Sequence, residues 1–438
     1  MHTGNKQERG LSLLGGFCFF LSAVEFLIPK PLPFIRLGLA NLPLLIAIDI
    51  MPFPSFLLLA AIKIAGQALI SGTLFSYIFV FSLGGTGAST LLMYALRRGI
   101  GKGKISLIGT SAAGALASNG VQLSLAYFIA FGSSVRYVAV PVLALGLITG
   151  TLLGMASEYF IGRSLWYARI THPQPGGEEQ EGQICLDARS PERSINRSPG
   201  NSEKSCITSD NTHQPGKKQA FREARESFIR KTFSPGELAV LGLCMMPAML
   251  LNPDVCGRAI QFLFFWALAW LSGKKTRPLI TILVMAGIVF FNLLVPYGEI
   301  LFSLGPINIT LGALKTGIHR AVTLEGLFML SRACVSPYLA LPGAFGGILG
   351  ESFRVFSRLA EERKTVGGRN WLERIDELLV ASLSMPPGCG DSGTGTKKTP
   401  GENGKFPDPS RPQGSPYGPK IILAVIAILA WLPFLLAA

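Results

Sequence analysis

Glu25, four residues before Pro29, and the run Arg36-Leu-Gly-Leu-Ala-Asn41 place an acid, a base and an amide around the junction of the first two long apolar segments. Lys63, Gln67 and Ser71 recur at every fourth position of the third segment, which stacks them on one helix face. Asn119 and Gln122 project together from the fifth, one turn beyond the small pair Gly114 and Ser118. Ionisable and amide groups inside apolar segments are costly and must face protein, water or ligand. The chemistry they suit is recognition: Arg36 and Lys63 match an anionic group, while Asn41, Gln67, Asn119 and Gln122 fix orientation. For the Lys63, Gln67 and Ser71 stripe a second reading stands level with the first, interhelical hydrogen bonding worth about 1 kcal/mol or less per residue.

Bond-making chemistry has little to stand on. An isoprenyl-condensing site needs clustered carboxylates, as in Asp-Asp-x-x-Asp, to hold magnesium against a diphosphate, and the sequence has no such run. The stretch from Gly388 to Thr399 has some glycines of a phosphate-binding loop, but its lysine does not follow the required glycine and no apolar strand precedes it. His2, His172, His213 and His319 are scattered, and the seven cysteines show no paired spacing. Intrinsic catalysis, a metal and a cofactor bound by this chain are therefore not expected.

The elements that position the polar residues are membrane helices. Of 438 residues, 49% are hydrophobic and only 15% charged, and two polar stretches dilute longer segments nearly free of charge. The net charge of +14 is carried largely by short loops and the polar stretches, so it reports topology and not nucleic acid. Helices are expected near 11 to 29, 37 to 50, 55 to 71, 73 to 96, 105 to 131 and 138 to 162, the second being short. The first is read as a retained segment and not a cleaved signal, because it is long and carries Glu25. With the N-terminus in the cytoplasm, the Arg97, Arg98, Lys102 and Lys104 loop falls inside. The chain is thus read as an all-α polytopic protein of the cell (inner) membrane.

Five regions follow: a membrane domain over 1–162, a disordered cytoplasmic linker over 163–234, a second membrane domain over 235–385, a flexible linker over 386–420 and a last transmembrane helix over 421–438. In the second domain apolar helices are expected near 237 to 251, 258 to 272 and 278 to 296, then a weakly polar helix and a crossing segment between Thr310 and Gly347. Gly350 to Leu383 reads as amphipathic helices at the inner surface, with Arg354 and Arg358 one turn apart on a polar face. Gly146, Gly150 and Gly154 form a ridge that admits a close neighbour. Ser12, Gly16, Cys18 and Ser22 do the same in the first helix, for internal packing or for a partner subunit.

The motifs Glu25-x-x-x-Pro29, Leu37-Gly-Leu-Ala-Asn41, Gly109 to Asn119-x-x-Gln122 and Pro141 to Gly150 give residues 10 to 162 a resemblance to the Gx transporter family, whose members are commonly named heptaprenyl diphosphate synthase component I. That family is similar to the substrate-binding S components of energy-coupling-factor transporters, six-helix proteins that capture vitamins or related small molecules. Here Arg36 stands where lysine is usual, Lys63 where arginine is usual and Ser118 where histidine is often found. Residues from about 235 onward look more faintly like the T component, with Ser357-Arg358-Leu359 on a basic helix and no Ala-Arg-Gly motif. The resemblance implies uptake of a small molecule, with ATP hydrolysed by partner subunits gripped through Arg354 and Arg358. Its family name implies the alternative, a membrane accessory subunit of heptaprenyl or polyprenyl diphosphate synthesis.

Overall fold

The computed structural model describes residues 2–27, 38–101, 103–171, 232–274, 277–304, 307–336, 343–362 and 418–437, with isolated positions at 221, 225, 227–229, 339, 341, 376, 377 and 380. Arg36, most of the 163–234 and 386–420 linkers and much of the 363–383 stretch lie outside the described residues.

The first block contains α1 (His2–Leu27), a 3-10 turn (Leu39–Asn41), α2 (Leu42–Ala47), α3 (Phe53–Ser71), α4 (Tyr77–Gly99), α5 (Leu107–Ala126) and α6 (Val135–Arg163), followed by α7 (Leu165–Thr171). Local signals set the ends. Gly72 stops α3 in the left-handed conformation at φ 64° and donates back to the last turn. Ser106 caps α5 by accepting from the Gly109 N–H at 3.1 Å. Phe53–Ser71, Tyr77–Gly99 and the stretch Leu107–Arg163 are long and apolar enough to cross a membrane, the last containing α5, a π turn at Tyr127–Phe131 and α6. The apolar part of α1, Gly10–Glu25, is shorter.

The second block contains α8 (Pro235–Leu251), α9 (Val255–Leu271), α10 (Pro278–Leu293), α11 (Leu311–Cys334), α12 (Gly343–Glu362) and α13 (Gly418–Ala437). Ser234-x-x-Glu237 forms a capping box at the start of α8. One feature departs from the all-α expectation: β1 (Ile300–Leu304) and β2 (Ile307–Thr310) pair as an antiparallel hairpin between α10 and α11. The expected weakly polar helix and separate crossing segment after Thr310 are replaced by the single helix α11, which is buried on most sides.

The two blocks share one apolar core. Phe17, Phe56, Trp166 and Phe265 are among its largest fully buried side chains, drawn from both halves. The Phe75 N–H donates to Ser331 Oγ at 3.0 Å, and Asn292 Nδ2 to the Ala130 carbonyl at 3.0 Å. Small residues of α1 face inward: a Cβ at Gly16 would meet Val355 of α12 at 2.6 Å, and Phe19 packs on Phe353 with centroids 4.9 Å apart. The α1 glycine face therefore serves internal packing with α12. Large apolar side chains such as Val140, Leu279 and Leu283 stay exposed on the outer surface, as lipid-facing positions do.

Candidate functional site

The α5–α6 hairpin supplies the scaffold of a cavity. The Gly146, Gly150 and Gly154 ridge lies against Asn119, Ala115 and Ile108 in turn, so the two helices run antiparallel in close contact. A Cβ at Gly150 would stand 2.7 Å from Ala115 Cβ, and Ser111 Oγ donates to the Gly150 carbonyl at 2.7 Å across the same contact. Met93 of α4 fills the space opposite Gly114. Gly85 does the same service on α4, where a Cβ would strike Gln122 Nε2 at 2.4 Å and Ser118 Oγ at 2.8 Å.

Between these helices, α3, the 3-10 turn and the last turns of α1 lies a cavity of about 60 Å³, measured as the space open to the centre of a water molecule. By that measure one water needs about 10–15 Å³, so the space suits a few waters or a compact ligand. Glu25, Asn41, Lys63, Gln67, Asn119 and Gln122 all line it. Of the seven residues expected from the sequence, only Arg36 lies outside the described residues. Six side chains scattered over nearly a hundred positions thus converge from α1, the 3-10 turn, α3 and α5.

Lys63 is buried in the middle of this group and donates to Asn41 Oδ1 and, at 3.4 Å, to Thr86 Oγ1. Glu25, equally buried, brings the opposite charge. Gln122 Nε2 donates to Ser118 Oγ at 3.1 Å, and Asn119 Nδ2 to the Val142 carbonyl at 3.1 Å. Asn119 therefore ties α5 to α6 while also facing the cavity. Gln67 stays with Lys63 on the cavity wall, but Ser71 leaves the stripe: its hydroxyl donates to the Gln67 carbonyl and lies 2.9 Å from Thr73 Oγ1, closing the end of α3.

Sequence reasoning missed the α4 wall. Ser82, Thr86 and Ser89 all line the cavity, and their spacing of four and three residues is the helical repeat that revealed the α3 stripe. Thr149 and Ser111 complete a lining of amides and hydroxyls. Among the described residues no aromatic ring lines the cavity, and the apolar side chains on its wall are Ala40, Met93, Ala115 and Leu153. Nor, among the described residues, do three His, Cys, Asp or Glu side chains gather as metal ligands.

Two polar contacts lie away from the cavity. Arg97, expected as part of a basic loop, is instead buried: its Nη2 lies 2.7 Å from Asp49 Oδ2, and its Nη1 donates to the Ile105 carbonyl. The pair sits beyond α2 and fixes the end of α4 to the α2–α3 turn. Tyr167 of α7 lies close by; burial pushes its phenol pKa up, the Asp49 charge adds to this and Arg97 opposes it. At the end of the first block Asp376 accepts from the Leu165 N–H at 2.8 Å and the Trp166 N–H at 3.2 Å, and from Ser164 Oγ. Arg354 and Glu351 form an exposed pair at 3.0 Å on α12.

Neither a curated protein nor a solved structure matches the chain. Residues 238–336 match a family described as a domain of unknown function (DUF8519). Every residue that walls the cavity falls in an earlier stretch, residues 14–160, which matches the family described as heptaprenyl diphosphate synthase component I, the family its motifs resemble.

Proposed function

We propose that the first block binds a small hydrophilic molecule in this cavity and serves as the substrate-binding part of a membrane uptake system. The observation that carries the reading is the lining: buried opposite charges, amides and hydroxyls from six neighbouring elements, turned toward one space inside a helical membrane bundle. Charged, amide and hydroxyl groups can take more than one hydrogen bond each, so a wall of this kind offers a polar occupant several partners where an apolar one would find few. With no aromatic ring on its wall among the described residues, and Met93 and Leu153 its sizeable apolar side chains there, the cavity favours a compact, non-aromatic solute over a prenyl chain, which would need an apolar slot. Glu25, Arg36, Asn41, Lys63, Gln67, Asn119 and Gln122 would bind it, joined by Thr86. In this reading the second block couples the cavity to separate ATPase subunits, with Arg354 and Arg358 at the contact; ATP would be bound by those partners.

A second reading is favoured by the family description: a membrane accessory subunit that recruits a soluble heptaprenyl diphosphate synthase. Purification in mild detergent separates the two. A polar metabolite carried through purification and released on denaturation supports uptake. Stoichiometric recovery of a carboxylate-rich synthase, with no polar metabolite, supports the accessory role.

A further inference from the structure

Outside the cavity, the second block buries one carboxyl that nothing above explains. Glu325 lies near the middle of α11 with 3% of its surface exposed, and no hydrogen-bond donor or cation among the described residues reaches its side chain. Its chain neighbours on α11 make apolar contacts. The next residue, Gly326, faces Met249 of α8 and Phe262 of α9, and Leu324 belongs to a core cluster with Phe81 and Ile288. Among the described residues, the titratable group recorded within electrostatic reach is the phenol of Tyr77, the first residue of α4. Other candidates are committed elsewhere. Arg258 of α9 donates to the Asn252 and Leu250 carbonyls and to Thr323 Oγ1, and Arg320 donates to Asn292 at 2.9 Å. On α8 the ionisable groups are Glu237, held in the capping box, and Cys244, which is exposed, while α10 carries none. His319, Lys315 and Arg332 share α11 with Glu325 but lie one turn or more away.

An ionised carboxylate buried without a donor or counter-ion is far less favourable than the neutral acid, which loses little on leaving water. We propose that Glu325 is a proton-binding site, its carboxyl held neutral at the seam between α4 and α11 and ionised only when that seam admits water. The placement gives the site a consequence. α4 also carries Ser82, Thr86 and Ser89 on the cavity wall, so gain or loss of the proton near Tyr77 acts on a helix that walls the cavity. Glu325 is buried whatever the cavity binds.

The test uses the full chain in membranes and in detergent. Dicyclohexylcarbodiimide, an apolar reagent that reacts with protonated carboxyl groups, is applied across a series of pH values and its adducts are mapped by peptide mass spectrometry. An adduct on Glu325 that declines as pH rises is expected, and none in Glu325→Gln. In parallel, thermal unfolding of both proteins is followed over the same series. A carboxyl protonated in the folded protein and ionised in the unfolded one takes stability away as pH rises. Glu325→Gln, which mimics the neutral acid, should therefore match the native chain at acidic pH and exceed it at alkaline pH. Parallel curves, or a variant less stable at every pH, would overturn the proposal whether or not the reagent reaches the site. Should the variant not fold, an adduct yield on the native Glu325 that is absent or independent of pH has the same force.

Discussion

Replacing Gly154 by alanine tests the α5–α6 contact on which the cavity is built. The new Cβ would stand 2.5 Å from Ile108 Cα and 3.1 Å from both Ile108 N and the Leu107 carbonyl. Carbon atoms in good contact lie about 3.5–4.0 Å apart, so the helices must separate by roughly 1 Å, and backbone atoms cannot swing aside as a side chain would. Overpacking of this kind costs about 1–3 kcal/mol, against a gain of about 1 kcal/mol from alanine's better helix propensity. Gly162 lies on the same helix and a Cβ there meets nothing within 4 Å, so Gly162→Ala keeps the propensity gain without the clash. The gain cancels in the difference between the two variants, which should be about 1–3 kcal/mol in favour of Gly162→Ala. Thermal unfolding in one mild detergent, with both variants side by side, reads that difference. Equal stability would show that α5 and α6 do not approach each other as described.

Three further outcomes follow from named contacts. Arg97→Met should destabilise the protein by about 1.5–3 kcal/mol in chemical denaturation, because it takes the guanidinium from the half-buried Asp49 carboxylate; adding Asp49→Asn should cost less than the two single changes summed. Asp376→Ala removes the acceptor for Leu165 and Trp166, so limited proteolysis should cleave within α7 faster while the rest of the first block keeps its protection. If Arg354 and Arg358 grip an ATPase through their forked guanidinium groups, changing both to Lys should abolish its co-purification and leave membrane association unchanged, since attraction to lipid headgroups depends on charge alone.

Much of this architecture was legible in the sequence because apolar length and polar punctuation are local signals. The helix expected from 55 to 71 is α3, from Phe53 to Ser71, and that expected from 138 to 162 is α6, from Val135 to Arg163. The cavity was half legible. Lys63 and Gln67 stood out because charge and amide are rare in such segments, whereas Ser82, Thr86 and Ser89 did not, since hydroxyls in helices often satisfy themselves on the preceding turn. Ser71 misled for that same reason: its hydroxyl returns to its own backbone. The Asp49–Arg97 pair was hidden by a separation of 48 positions, and the positive-inside rule offered Arg97 a sufficient role without a partner. The hairpin was missed because a strand of five residues is too short for periodicity to separate it from a loop.

The central claim is that the polar cavity of the first block holds a small hydrophilic ligand. Native mass spectrometry of the full chain, released from mild detergent, tests it against a variant with Gln122→Leu, which removes a cavity amide facing Ser118. The account predicts a compact, non-aromatic polar metabolite bound to the native chain and its loss from the variant, with both proteins unfolding at similar temperatures. A native chain that carries nothing, or one that retains a prenyl diphosphate to the same extent as the variant, would contradict it.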